Sequence, residues 1–306
     1  TRSESISRLG STFGPIANFG MKLPLASRML EWIGRIDHRR RLPAFAWGNN
    51  IKKLRKYLEK LGPIEQPAGK VAYFVDLYAT YNDHELGRAV VDLLRHNGVE
   101  VIIPEQHEAA MPSISYGDIA RARKTIEHNV RHLAEAVRAG YTIVASEPTA
   151  ALCLKEEYLD VVDSPDARLV AENTLELTDY LGRMLREGTL KEPTHAVPMT
   201  LAYHEPCHYA ALQIETGTLA LLERIEGVEI EMLPNSCCGI AGTFGFQKKN
   251  YDLSILAGLP MLGPLRESRA PYGLTECATC KMQMEQCAAK PTLHPAKILA
   301  KSYGLS

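Results

Sequence analysis

The sequence predicts an α/β protein: two pseudo-symmetric small parallel-sheet α/β units behind a basic helical arm. Three observations predict it. After Lys70, short apolar runs alternate with helical patterns, the order that builds parallel sheets. The second half of the chain repeats that order and some of its residues, and an internal repeat fixes the architecture more firmly than any single element. The first sixty residues differ from the rest in charge. These divide the chain into an arm over residues 1–66, a first unit over 67–192 and a second over 193–306.

The arm comes first. Residues 1–60 hold 13 Lys and Arg against 4 Asp and Glu, leaving 22 against 32 for the remainder, although the whole chain sums to −1. Two amphipathic pieces stand out. One is residues 25–33, which include Trp32. The other sets Ile51, Leu54, Leu58 and Leu61 on one helical face, with Lys52, Lys53, Arg55 and Lys56 off it. Such an arm suits an anionic membrane surface or an acidic partner. Helices that wrap the core with a solvated basic face explain the same pattern. Nucleic acid is not an expected partner, because the arm has no recognition motif and the rest is acidic.

In the first unit, Val71–Val75 reads as a strand and Glu85–Arg95 as a helix ending at Asn97-Gly98. Val99–Ile103 is a strand stopped by Pro104. Gly117–Val137 is a long helix with Ala120, Ile126, Val130, Leu133 and Val137 inward. Tyr141–Ala145 is a strand and Ala150–Tyr158 a helix. Asp166–Arg186 reads as one connecting helix, and residues 193–198 as the linker. The second unit repeats the plan: strand Leu201–His204, helix Thr216–Arg224, strand Val228–Leu233, then strand Tyr272–Thr275 and a helix from Thr279. The segment Gly98-Val99-Glu100-Val101 recurs as Gly227-Val228-Glu229-Ile230, 129 residues on, and Thr149 recurs as Thr279, 130 on.

Composition excludes several classes. Of 306 residues, 45% are apolar and 23% charged, too ordinary for a disordered or coiled-coil chain. No run approaches the roughly 18–20 apolar residues of a membrane span, and the first thirty residues lack a signal-peptide core. Seven cysteines is an odd count, and six of them fall between Cys207 and Cys287. That clustering without a secretion signal points to a metal or cluster site in a reducing, cytoplasmic setting.

Five of the cysteines form a pattern. Cys207 follows the first strand of the second unit, Cys237-Cys238-Gly239 its second, and Cys277-Ala278-Thr279-Cys280 its third. All five therefore lie past the carboxyl ends of parallel strands, the edge where open α/β sheets bind ligands. Thiolates hold the iron of Fe–S clusters, or zinc, far better than hard ions. A Cys-x-x-Cys at a helix start gains from the free N–H groups there. Gly239, Gly242 and Gly245 allow close backbone approach to cluster sulfides. Four thiolates satisfy a [4Fe-4S] cubane or a zinc ion, so five mean a spare thiol or a non-cubane cluster. Adjacent cysteines suit a multi-iron cluster better than one metal ion. Zinc is the alternative cofactor. Cys153 reads as a core thiol. Cys287 reads as core packing near the site, and His204 and His208 as residues that hydrogen-bond around it.

These motifs resemble the CCG cysteine-rich domain family, which includes heterodisulfide reductase B subunits and the Fe–S subunits of glycolate and lactate oxidases. The likeness extends in particular to the C-subunit type of anaerobic glycerol-3-phosphate dehydrogenases and covers nearly the whole chain. It rests on His204-Glu205-Pro206-Cys207-His208, on residues 236–246 and on Cys277-Ala278-Thr279-Cys280-Lys281. Arg39-Arg40-Arg41-Leu42-Pro43 is similar to the family's segment ahead of the first copy. The resemblance implies an electron relay: a flavoprotein dehydrogenase subunit as donor, one iron–sulfur cluster here, and a membrane quinone or other acceptor, peripheral on the inner face of the membrane. Relatives usually carry a ferredoxin-like region ahead of the arm. Its absence here implies a ferredoxin-like partner subunit or a longer natural chain. Relatives often hold cysteines in the first copy too, where this chain has Leu77, Glu108, Ala109, Glu147 and Ala150, so the first copy is expected to hold no cluster. Glu105, His107, Glu108 and Glu147 offer a hard-metal site there, or simply solvated loops.

Neither a nucleotide-binding motif nor a nucleophile–base pair appears in the sequence. The chain is therefore expected to do no bond chemistry on a metabolite by itself. A thiol–disulfide (heterodisulfide-type) reductase subunit and a zinc-stabilised scaffold subunit are the alternatives.

Overall fold

The computed structural model describes residues 3–21, 28, 31–32 and 34–305. The chain builds two four-stranded, all-parallel sheets. The first contains β1 (Gly69–Phe74), β2 (Val99–Ile102), β3 (Thr142–Ala145) and β4 (Thr174–Glu176), in the order β2-β1-β3-β4. The second contains β5 (Met199–Tyr203), β6 (Val228–Met232), β7 (Tyr272–Leu274) and β8 (Thr292–Leu293), in the order β6-β5-β7-β8.

The repeat holds at the level of register. Val71 pairs with Val101 and Ala72 with Ile143 in the first sheet; Leu201 pairs with Ile230 and Ala202 with Gly273 in the second. In each sheet the chain reverses direction of travel between the first and third strands. That is the topological switch point, where loops splay apart and leave room for a ligand.

The strands form where the sequence is apolar and bounded by turn residues, and β1 and β3 are buried nearly throughout. The helices start on acceptor side chains that cap free N–H groups. Asp83 accepts from Leu86 N at 3.0 Å to open His84–His96, and Ser164 accepts from Ala167 N at 3.1 Å to open Pro165–Glu172. Asp166–Arg186 is not one helix. The helix Pro165–Glu172 ends on Asn173, the chain enters β4, and Glu176 caps a second helix, Leu177–Arg186, through Thr178 N at 2.5 Å. The helix beginning at Pro148 runs to Val161 through a π-turn over Cys153–Glu157.

One continuous apolar core joins the two copies, running from Val71, Val90 and Leu94 in the first to Leu201, Leu222 and Leu299 in the second. Residues 193–198 are packed rather than loose: Thr194 and His195 donate to Ser302 O and Val197 donates to Glu226 O.

The arm is bound to both copies. In the helix Asn50–Leu61, Leu54 is buried, while Lys52, Lys53 and Lys56 face solvent and Leu61 is exposed. Its Arg55 donates to Ile103 O and Pro104 O at 3.0 and 2.6 Å. Further upstream, Ile36 makes an antiparallel bridge with Gln247, in the loop that follows the paired cysteines. The amphipathic piece at 25–33 lies mostly outside the described residues. Exposed apolar side chains instead line the helices Ser3–Thr12 and Gly14–Met21, where Ile6, Leu9, Phe13, Ile16 and Phe19 are each more than half exposed.

Candidate metal centre

The second sheet brings the five cysteines together. Cys207 opens the short helix Cys207–Ala211 after β5, and Cys277 is the residue before the helix Ala278–Ala288 after β7. β5 and β7 are neighbours across the switch point. Cys237 and Cys238 arrive on the loop after β6. The thiols then form a chain of contacts: Cys207 donates to Cys237, Cys238 donates to Cys237, and Cys280 reaches both Cys238 and Cys277.

Gly239 makes the tight turn possible. Its φ is +89°, in the region that favours glycine, and a Cβ there would collide with Ser254 O. Its N–H donates to Cys237 Sγ at 3.3 Å.

The electrostatics divide the five thiols. The Cys207 thiol, and after it Cys238 and the Gly239 N–H, hold Cys237 far below the ordinary thiol value. Cys280, Thr279 and Glu147 hold Cys277 down at about 5. Cys207, Cys238 and Cys280 are pushed up, because each donates to an anion beside it and is desolvated. Two thiolates and three thiols in contact are an unfinished set. Only a cationic or cluster ligand lets all five become anions side by side.

Two neighbours match such a ligand. His204 is fully buried, kept neutral by burial, and neither ring nitrogen has a hydrogen-bond partner among the described residues. Arg40 is a buried cation whose guanidinium, among the described residues, donates to neutral acceptors: Gly245 O at 2.7 Å, Gln283 Oε1 at 2.5 Å and Ser254 Oγ at 2.7 Å. Asp37 is the nearby carboxylate, but it is not hydrogen-bonded to the Arg40 guanidinium, and a buried charge without a paired counter-charge is costly. An anionic cluster–thiolate group next to Cys238 would supply one. The donor set, the partnerless imidazole and the guanidinium bonded to neutral acceptors therefore fit an iron–sulfur cluster.

The first copy reaches into the same place. Glu147 begins its third-strand helix just as Cys277 begins the equivalent one. Burial pushes the Glu147 carboxyl well above the usual carboxylate range, so it holds a proton against Cys277. Its Oε2 accepts from Ala278 N at 2.8 Å. Thr149 Oγ1 meets His208 Nδ1 at 2.8 Å, which places His208 on the contact between the copies. The thiol-bearing edge of one sheet thus abuts the same edge of the other.

The remaining cysteines stand apart. Cys153 is buried and donates to Ala109 O at 2.9 Å. Cys287 is half-buried at the rim of the apolar cluster around Cys238. Nothing in the spacing of residues singles out Arg40 beyond its place in an arginine-rich run. Glu147 had a signal, its position 130 residues before Cys277.

The Cysteine-rich domain family matches residues 201–285, the segment that holds all five thiols. Across 305 residues, 99% of this chain and 76% of the other, the sequence is 32% identical to the C subunit of anaerobic glycerol-3-phosphate dehydrogenase from Escherichia coli. This chain belongs to that C-subunit family. Lactate utilization protein A from Halalkalibacterium halodurans is 32% identical over 57% of the chain and 72% of its own length. The B subunit of the CoM/CoB fumarate reductase from Methanothermobacter marburgensis is 24% identical over 88% of the chain and 53% of its own length. All three matches cover an oxidoreductase subunit or a utilization protein, and the first spans both sheets and the arm. Among the described residues no helix is long and apolar enough to cross a membrane.

Proposed function

We propose that the chain is an iron–sulfur electron-transfer subunit of a flavin-linked oxidoreductase complex. Residues 67–192 would form a domain without a cluster, and residues 193–306 a domain whose Cys207, Cys237, Cys238, Cys277 and Cys280 hold one four-iron cluster, with Gly239 at its edge. The observation that carries the reading is the meeting of five thiols at the β5–β7 switch point beside a buried arginine bonded to neutral acceptors. A bound cluster supplies one-electron storage. The chain's own residues do the rest. Arg40 offers positive charge, Glu147 holds a proton against Cys277, and His204 offers a donor. A flavoprotein dehydrogenase subunit would donate, a ferredoxin-like module would bridge, and a membrane quinone would accept.

The names of the relatives support a place in a dehydrogenase or reductase complex. The exposed apolar residues Ile6, Leu9, Phe13, Ile16 and Phe19, on an arm rich in Lys and Arg, support a peripheral position on the inner membrane face. A heterodisulfide reaction between two facing clusters has no second cysteine set to use. The test is electron flow. Dithionite-reduced protein mixed with a soluble quinone analogue should lose its cluster EPR signal, and Cys277→Ser should have no signal to lose. Reduction and reoxidation that survive Cys277→Ser would defeat the proposal.

A further inference from the structure

A second set of metal-ligating side chains lies in the first copy, away from the thiols. The sequence pointed to Glu105, His107, Glu108 and Glu147. Glu147 belongs instead to the contact with Cys277. Glu105 and His107 face the long helix Ile119–Arg138, where His128 and His132 sit one turn apart. One ligand atom each from Glu105, His128 and His132 lies within 4.8 Å of the other two. The His107 and His128 rings are 4.4 Å apart between centroids, and the His128 and His132 rings 4.9 Å.

The scaffold under these side chains is fixed. Arg55 holds Ile103 O and Pro104 O. Gln106 donates to Val75 O at 2.8 Å and accepts from Val75 N at 3.1 Å. Asn129, fully buried beside His128, accepts from His107 N at 2.8 Å and donates to Glu108 O at 3.0 Å and to Tyr158 OH at 2.8 Å. His128 Nε2 is buried without a hydrogen-bond partner among the described residues. His132 Nδ1 lies 3.7 Å from Glu135 Oε2.

We propose that Glu105, His128 and His132 form a three-ligand site for a divalent transition-metal ion of zinc's class. Two imidazoles and one carboxylate favour such an ion over magnesium or calcium. Bonds of about 2.0–2.1 Å set tetrahedral zinc ligands about 3.4 Å apart, so side-chain atoms within 4.8 Å of one another need close by no more than about 1.4 Å. Three protein ligands leave a position for water or for His107. His107 Nδ1 lies 3.3 Å from Glu4 Oε1. An ion here therefore ties the loop after β2 to its helix and, through His107, to the first helix of the arm.

The experiment uses the full chain with its cluster in place. After a mild chelator wash, the protein is dialysed against micromolar zinc and assayed for zinc, iron, sulfide and melting temperature. The parent protein should retain about one zinc per chain. His132→Ala and Glu105→Gln should each weaken retention more than about tenfold, with iron and sulfide unchanged and the melting temperature of the zinc-free protein unchanged, while only the parent melts higher when zinc is added. Both side chains are at least partly exposed, so neither change unfolds the chain. Zinc held by the thiols would survive these substitutions and appear where iron is lost. No retained zinc in the parent, or equal retention in the His128→Ala/His132→Ala double variant, would overturn the proposal.

Discussion

Cys277 and Glu147 occupy one position in two copies of one plan. Each follows the third strand of its sheet, each precedes a helix, and they touch across the contact between the copies. The second copy presents soft donors at that edge, five of them, with a buried cation close by. The first presents a protonated carboxyl there, and Leu77, Ala109 and Ala150 where donors would have to be. The difference teaches that a sheet edge only offers room. Side-chain chemistry decides whether the room becomes a cluster site or a buttress for its neighbour.

The comparison is broken most severely at the thiols. Cys238→Ser or Cys277→Ser should reduce iron from about four per chain to less than about one, read by metal analysis, whereas Cys153→Ser should leave iron unchanged. Arg40→Met is the next largest. It removes a cation beside the proposed anionic group, so the reduction potential should fall by tens of millivolts, about the size of a charge some 10 Å away at an effective dielectric near 20. The measurement is an EPR-monitored redox titration, and an unchanged potential would remove Arg40 from the site. Glu147→Ala leaves the Ala278 N–H and the cap of the helix Pro148–Leu152 without an acceptor. It should cost about 1–3 kcal/mol of stability, seen as a lower urea midpoint in the metal-free protein.

The last effect is the pH dependence of the join between the copies. Burial raises Glu176 to about 7, although Thr178 donates to it, and Thr178 in turn meets Tyr209 OH at 2.7 Å. The folded carboxyl therefore keeps a proton that the unfolded chain releases near the ordinary value. Stability should fall as pH rises from about 4.5 to about 7. Glu176→Gln should flatten that slope in thermal melts, and an equally steep slope in the variant would assign it to other groups.

Much of this was legible in the residues. β1 and β3 are short apolar runs, β2 and β6 alternate apolar residues with Glu between Gly and Pro, and the repeat offset tied the two copies together. β4 and β8 were not legible: three and two residues long, they are too short for any periodicity, so Asp166–Arg186 read as a single helix although Asn173 breaks it. The thiol set was legible from spacing and strand ends alone. The buried Arg40 was not, since its partners Gly245, Ser254 and Gln283 lie more than 200 residues away. The exposed face of the first two helices was hidden by Gly10 and Gly14 inside its apolar spacing. His128 and His132 stood at helical spacing in plain view. Only the fold brings Glu105 to them.

The most direct test of the central claim is a count. Protein purified without oxygen should contain about four irons and about four acid-labile sulfides per chain, with an EPR spectrum that changes on dithionite reduction. That result places one redox-active cluster in the copy that has the thiols and none in the copy that has Glu147. Absence of sulfide would contradict the account of the second copy, and about eight irons would contradict the account of the first.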